Sequence, residues 1–159
     1  MTRNFRRTAG LAVLLLALTL SASGCGGGDE RTANNAYVER VNLIQTEFSA
    51  AYQRVASEIT STTSPSADGA TFKKVAKTLE TSVADLRKVD APDGLKGLHN
   101  DLVGVLDEYG SELAAASGDL ANGNEARAAR AMKRLEKATT SASVAFSRKI
   151  EAINAKLRD

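Results

Sequence analysis

Few residues in this chain could carry out chemistry, and they do not form a catalytic or metal-binding motif. The 159 residues include one cysteine, Cys25, and one histidine, His99. A zinc site needs several histidine or cysteine ligands. Di-iron helical bundles use Glu-x-x-His pairs, whereas Lys96 stands three residues before His99. The glycines at residues 26–28 do not follow a strand, as a phosphate-binding loop would. The sequence therefore predicts no metal, no cofactor and no enzymatic activity.

The first 24 residues have the layout of a secretory signal peptide. Arg3, Arg6 and Arg7 give a positively charged start, residues 11–20 are almost entirely apolar, and small residues fill positions 21–24. This order is typical of an export signal that is cleaved. A permanent membrane span needs about 20 apolar residues, roughly twice the length of this run. We therefore expect residues 1–24 to be removed on export and not to form a transmembrane anchor.

Cys25 stands directly after these small residues. The run Ala22-Ser23-Gly24-Cys25 resembles the lipobox of bacterial lipoproteins, although Ala22 takes the position where leucine is most common. The resemblance implies that the Cys25 thiol receives a diacylglyceryl group and that cleavage makes Cys25 the new N-terminus. It also implies an outward-facing protein on the cell membrane, because two acyl chains hold a protein stably on a bilayer. The alternative is an ordinary signal peptide followed by an unmodified cysteine.

The remainder of the chain resembles small helical lipoproteins of actinobacterial type. The resemblance lies in a composition rich in alanine, arginine and glycine and in a proline-led helix start at residues 91–102. Those proteins have no assigned activity. The resemblance therefore implies no functional residue beyond the lipid attachment at Cys25.

The exported part of the chain has the size and charge of one small domain. It has 135 residues, enough for a hydrophobic core of its own. Its 18 lysines and arginines face 19 aspartates and glutamates, which gives a net charge of −1. This balance argues against a nucleic-acid partner, which would require a net basic face. With Cys25 lipidated, no thiol remains for a disulfide, so packing alone must hold the domain together.

Apolar residues in the exported part recur at steps of three and four, which places them on one face of a helix. Four segments show this pattern, at residues 35–60, 70–89, 93–116 and 125–157. Four amphipathic helices joined by short loops predict an all-α fold, an antiparallel up-down-up-down four-helix bundle.

The intervening residues predict the domain boundaries. Residues 25–34 lack the helical period and predict a lipidated, flexible tether before a bundle domain at residues 35–159. The Ser/Thr-rich residues 61–69 predict a loop, and Asn122-Gly123-Asn124 predicts a compact turn. The alanine- and serine-rich middle of the fourth helix predicts a close approach of its neighbours.

Charge is unevenly distributed along the chain. Residues 90–125 carry eight acids and one base, whereas residues 126–159 carry nine bases and three acids. The second helix, residues 70–89, carries five bases and two acids. We expect the acidic third helix to pair with the second and the fourth. The alternative is that the basic strip on the fourth helix meets anionic lipid or a polymer of the cell envelope.

The function predicted from the sequence is a non-enzymatic, lipid-anchored helical bundle outside the cytoplasm, acting as an interaction module for a protein or another component of the envelope. The alternative is a ligand-binding or sensory domain with a pocket inside the bundle. Six aromatic residues are candidates for such a pocket, although core packing is the commoner role of aromatic residues at helical spacing: Tyr37, Phe48, Tyr52, Phe72, Tyr109 and Phe146. An exposed apolar groove would favour the first hypothesis, and an internal cavity with converging polar groups would favour the second.

Overall fold

The computed structural model describes residues 28–58 and 64–158, which form four long helices. They are α1 (Gly28–Ala56), α2 (Pro65–Leu86), α3 (Lys96–Asn122) and α4 (Glu125–Lys156), with a short 3₁₀ turn at Asp93–Leu95 before α3. No strand occurs in this part of the chain. The predicted all-α, antiparallel four-helix bundle is confirmed. The predicted signal peptide, Cys25, residues 25–27 of the tether and residues 59–63 lie outside the described residues.

Helix α1 begins at Gly28, so residues 28–34 of the predicted tether are helical. Extending a helix costs far less than starting one, and residues 29–36 contain no glycine or proline. The Thr32 hydroxyl also donates a hydrogen bond of 2.8 Å to the Gly28 carbonyl. Tyr37 is the first buried residue of α1. Residues 28–34 lack the apolar period because they extend α1 beyond the core, and not because they form a flexible segment.

Helix α2 also begins earlier than predicted, at Pro65 rather than at residue 70. The Ser64 hydroxyl accepts a hydrogen bond of 3.2 Å from the Ala67 backbone nitrogen, and Pro65 occupies the first turn. Serine at the N-cap followed by proline is a favoured helix start. The predicted loop is therefore wrong over residues 65–69. The predicted turn at residues 122–124 is confirmed, and Asn124 caps α4 by accepting a hydrogen bond from the Arg127 nitrogen.

The apolar core has two clusters, one at each end of the bundle. The first contains Tyr37, Leu86 and Ile150, and the second contains Phe72, Leu113 and Leu135. Helix α3 packs closely against both α2 and α4, and α1 packs mainly against α2. No extended backbone contact joins α1 to α4 among the described residues. One side of the bundle is therefore packed less closely than the others.

Ion pairs connect the acidic α3 to its basic neighbours, as predicted. Arg87, which caps the C-terminal end of α2, pairs with Asp107 at 2.8 Å. From α4, Arg134 pairs with Asp119 at 2.9 Å and Lys149 pairs with Asp101 at 2.6 Å. These pairs are largely exposed, so they bias which helices are neighbours more than they stabilise the fold.

The glycines of the bundle differ sharply in their surroundings. A Cβ atom at Gly69 would lie 2.7 Å from the Ala121 nitrogen, so α2 and α3 approach closely there. At Gly110 the nearest atom would be Leu79 Cδ2 at 3.5 Å, which is an ordinary contact. Gly97 and Gly104 have no such neighbour within 4 Å. Close helix packing therefore does not require glycine at Gly97 or Gly104.

Candidate functional site

A cavity of about 60 Å³ lies in the middle of the bundle, at the boundary between the two core clusters. All four helices contribute to its wall, and the lining residues are Val41, Ile44, Gln45, Phe48 and Tyr52 of α1, Leu79, Ser82 and Leu86 of α2, Leu102, Leu106 and Tyr109 of α3, and Thr139 and Phe146 of α4. Phe48 and Tyr109 contact both clusters. The cavity is therefore a break in the core, bridged by aromatic side chains.

Small residues of α4 lie near the level of the break. Ala138, Thr139 and Ala142 occupy the inner side of α4 at this level and are buried or half-buried. We expected these small residues to bring neighbouring helices close together. That expectation is correct for α3, which packs closely against α4, and wrong for α1, which does not. Since neither backbone nor side chains fill the gap, the cavity remains.

One residue that lines the cavity has a buried hydroxyl group without a hydrogen-bond partner. Tyr52 is 7 % exposed, and its Oη atom is the one buried side-chain polar atom among the described residues with no hydrogen bond. Leaving a buried polar group unsatisfied costs about 1–3 kcal/mol. The other hydroxyls of the wall are satisfied: Tyr109 and Thr139 share a hydrogen bond of 3.1 Å, and Ser82 donates to the Thr78 carbonyl. The Tyr52 Oη atom has almost no accessible surface, so its missing hydrogen bond is a cost of the packing and not a group that the cavity presents to a ligand.

Both phenols of the cavity are protonated at neutral pH. Burial raises the pKa of Tyr52 far above its usual value of 10, and the neighbouring Tyr109 raises it further. Burial also raises the pKa of Tyr109, although its hydrogen bond with Thr139 opposes this shift. No charged side chain lines the cavity. The cavity wall therefore offers hydroxyl groups, the Gln45 amide and apolar surface, but no counter-ion.

His99 of α3 lies beside the first core cluster, and its two ring nitrogens form hydrogen bonds with α1 and α2. Its Nε2 atom lies 3.1 Å from the Leu86 carbonyl oxygen of α2, and its Nδ1 atom lies 3.2 Å from the Tyr37 hydroxyl of α1. Because a carbonyl oxygen only accepts, Nε2 donates to Leu86 and Nδ1 accepts from Tyr37. Burial lowers the pKa of His99, and its bond to Leu86 partly opposes this effect. The geometry gives His99 a structural role as a neutral, buried cross-link.

The sequence identified only part of this site. Of the six candidate aromatic residues, Phe48, Tyr52, Tyr109 and Phe146 line the cavity. Tyr37 and Phe72 are instead buried in the first and second core clusters. Thr139 was not among the predicted residues, although its position within a run of small residues on α4 was an available signal.

Elsewhere in the described residues, neither the exposed apolar side chains nor the potential metal ligands form a site as well defined as the cavity. Leu43 and Val144 are the large apolar side chains exposed there, and each is about half exposed. In residues 28–58 and 64–158, no three side chains of the types that bind metal ions cluster closely enough to hold one. None of the described helices combines the length and the apolar character needed to cross a bilayer.

No protein-family model, curated protein or solved structure matches this chain.

Proposed function

We propose that this chain is an exported, lipid-anchored, non-enzymatic bundle that binds a small, mostly apolar molecule in its central cavity. The observation that carries the proposal is the mainly apolar cavity, whose wall also includes the side chains of Gln45, Ser82 and Thr139. Binding sites are typically apolar pockets in which a few polar groups fix the orientation of the ligand. The alternative function considered from the sequence therefore fits the geometry better than a protein-interaction module, which would need an exposed apolar groove.

The cavity volume limits the ligand. A water-sized group needs about 10–15 Å³ by this measure, so a 60 Å³ cavity holds about four to six such groups. A ligand would therefore insert a segment of about this many non-hydrogen atoms. A longer ligand would extend outward along the gap between α1 and α4.

The membrane anchor places this cavity outside the cell in our proposal. Cys25 is three residues before Gly28, where α1 begins, so the link between lipid and helix spans at most about 11 Å. Phe48 lies 20 residues further along α1, or about 30 Å from Gly28. Cys25→Ser should abolish labelling by radioactive palmitate and release the protein from membranes. A serine variant that stays labelled and membrane-bound would rule out the lipoprotein assignment.

Ligand binding is tested with the exported chain, residues 25–159, carrying Cys25→Ser. We expect pentan-2-one, a ketone of suitable size, to shift the methyl resonances of Ile44 and Leu106 in a saturable way in carbon–proton NMR spectra. Ser82→Leu would fill the cavity from α2 and should weaken binding at least tenfold. Thr81→Leu makes a similar change on the exposed side of the same helix and should leave binding unchanged. Equal binding by both variants would show that the ketone binds elsewhere.

A second candidate function is docking of α4 onto an anionic lipid surface. Of the nine bases in residues 126–159, only Arg134 and Lys149 form ion pairs within the described part of the chain. Arg130, Lys137 and Arg148 are exposed and form a row about 27 Å long on the outer side of α4. Each base close to an anionic membrane contributes about 1 kcal/mol of attraction. Ion pairs with α3 thus involve only a small part of the positive charge in residues 126–159.

Vesicle sedimentation tests this second candidate. The serine variant at Cys25 should bind vesicles containing phosphatidylglycerol and not vesicles of phosphatidylcholine alone, and added salt should weaken the binding. Replacing Arg130, Lys137 and Arg148 by glutamine should abolish it. Replacing Lys73, Lys77 and Lys88 of the α2 region by glutamine changes the net charge equally and should have little effect. Equal losses in the two triple variants would indicate a response to net charge without a defined docking face.

A further inference from the structure

The two large apolar side chains exposed among the described residues differ in their charged neighbours. Leu43 of α1 is 45 % exposed and Val144 of α4 is 48 % exposed. The exposed acids Glu39 and Glu47 stand four residues before and four residues after Leu43, and the exposed Arg40 stands three residues before it. Residues three or four apart are neighbours on a helix surface. Two acids and one base therefore surround Leu43.

The surroundings of Val144 are mainly basic. Lys137 stands seven residues before it and Arg148 four residues after it, and both are exposed. Spacings of four and seven residues bring side chains to the same face of a helix, so these two bases and Val144 share the outer face of α4. Glu151 is the acid that joins them on this face. No ion pair within the described part of the chain uses either base.

An exposed apolar side chain between bases suits a bilayer better than a dissolved polyanion. An anionic bilayer has phosphates at its surface and hydrocarbon directly beneath them, whereas a dissolved polyanion offers charge without a hydrocarbon layer. Helices that lie on bilayers combine lysine and arginine at the headgroups with apolar side chains that enter the boundary of the acyl chains. Lysine and arginine can reach the headgroups while their stems lie along apolar surface. The position of Val144 therefore favours lipid over a polymer of the envelope.

The length of the basic row determines how α4 would lie on such a surface. Arg130 and Arg148 are separated by about 27 Å along the helix axis. Both can reach the phosphates of one flat bilayer only if α4 lies nearly parallel to the surface. Val144 lies between them along the chain, so the same orientation brings its side chain to the bilayer.

We propose that Val144 enters the hydrocarbon boundary of an anionic bilayer when α4 docks, while Lys137 and Arg148 bind phosphates beside it. This inference rests on the second candidate function, the docking of α4 onto an anionic lipid surface. Charge brings the helix to the bilayer, and the valine adds an apolar contact that only a bilayer can satisfy. Leu43 stays outside, because an anionic surface repels the two acids beside it.

Single tryptophans test which apolar position enters the bilayer, because the chain contains no tryptophan of its own. Val144→Trp and Leu43→Trp are introduced separately into the exported chain, residues 25–159, carrying Cys25→Ser. Each protein is titrated with vesicles of phosphatidylglycerol and phosphatidylcholine, with and without bromine atoms on the acyl chains. Bromine quenches a tryptophan that reaches the acyl chains. We expect the Val144→Trp emission to move to shorter wavelength and to be quenched, and the Leu43→Trp emission to stay unchanged.

A second pair of variants measures the contribution of the valine without adding an aromatic ring. Val144→Ser should lower the affinity for the same vesicles about fivefold, the factor expected when about half of a valine side chain is buried. Leu43→Ser is the matched control and should leave the affinity unchanged. Both positions are exposed, so neither substitution removes a core contact.

The outcomes separate this inference from the docking on which it rests. If both tryptophans are quenched equally, or if neither is quenched while the protein sediments with the vesicles, the inference is wrong and binding to anionic lipid stands. Equal vesicle affinity of Val144→Ser and its parent would also overturn it, and would indicate docking by charge alone, as on a dissolved polyanion. If the parent does not sediment with these vesicles, the docking of α4 fails together with the inference.

Discussion

Gly69 is where the backbones of α2 and α3 come very close, and its replacement by alanine tests the packing directly. A Cβ atom at residue 69 would lie 2.7 Å from the Ala121 nitrogen and 2.9 Å from the Ser117 carbonyl oxygen. Both are backbone atoms within α3, so they cannot rotate away and the two helices must separate. Overpacking of this kind costs about 1–3 kcal/mol, and the better helix propensity of alanine offsets up to about 1 kcal/mol. We expect Gly69→Ala to lower the free energy of unfolding by about 1–2 kcal/mol.

Gly104→Ala is the matched control on α3. A Cβ atom there would have no neighbour within 4 Å beyond its own helix, and residue 104 is exposed. The same substitution should therefore stabilise the protein by up to about 1 kcal/mol. Urea unfolding followed by circular dichroism would measure both changes, with opposite signs expected. If Gly69→Ala is as stable as the parent, the close approach of α2 and α3 does not constrain the fold as we argue.

Three further changes test the caps, the charges and the buried histidine. Ser64→Ala should destabilise the protein by about 1 kcal/mol in urea unfolding, because it removes the cap on the Ala67 nitrogen, whereas Ser66→Ala, in the exposed first turn, should not. Arg134→Gln should cost less than about 1 kcal/mol, and the difference should vanish in high salt, since its pairs with α3 are exposed. The pKa of His99 is lower in the folded state than its usual 6.5, so the unfolded chain takes up the proton first as the pH falls. Stability should therefore not change with this group above pH 6.5 and should decrease below pH 6.5. His99→Gln should flatten this pH dependence. If the variant shows an equally steep dependence, other titratable groups cause it.

The number and type of the helices could be predicted from the sequence because each helix buries a stripe of apolar residues at steps of three and four. The starts of α1 and α2 could not be predicted from that stripe, since residues 28–34 and 65–69 extend the helices beyond most of their apolar contacts. Ser64-Pro65 carried a helix-start signal that the surrounding serines and threonines obscured. Helix ends thus depend on capping and propagation, which apolar spacing does not report.

The cavity was harder to predict because it depends on volumes summed across helices that are distant in sequence. Phe48 and Tyr52 of α1 face Thr139 of α4 across nearly ninety residues of chain. The small residues of α4 were visible in the sequence, but whether α1 would move in to fill the space was not. The missing partner of Tyr52 is likewise a property of the assembled bundle, because a phenol at this position could equally have met a carbonyl or a hydroxyl.

The absence of close α1–α4 packing and the proposed ligand site have the same structural origin. Helix α1 is held mainly by α2, and the cavity lies where α1 would otherwise contact α4. A ligand touching Phe48 and Tyr52 on one side and Thr139 and Phe146 on the other would supply the contact that the two helices lack. Ligand present at a hundred times its dissociation constant stabilises a folded protein by about 2.7 kcal/mol. In hydrogen exchange, ligand should therefore slow the amides of α1 that exchange by local opening more than those of α3, which is already packed on both sides. Uniform protection of all helices would instead mean that α1 opens only when the whole bundle unfolds.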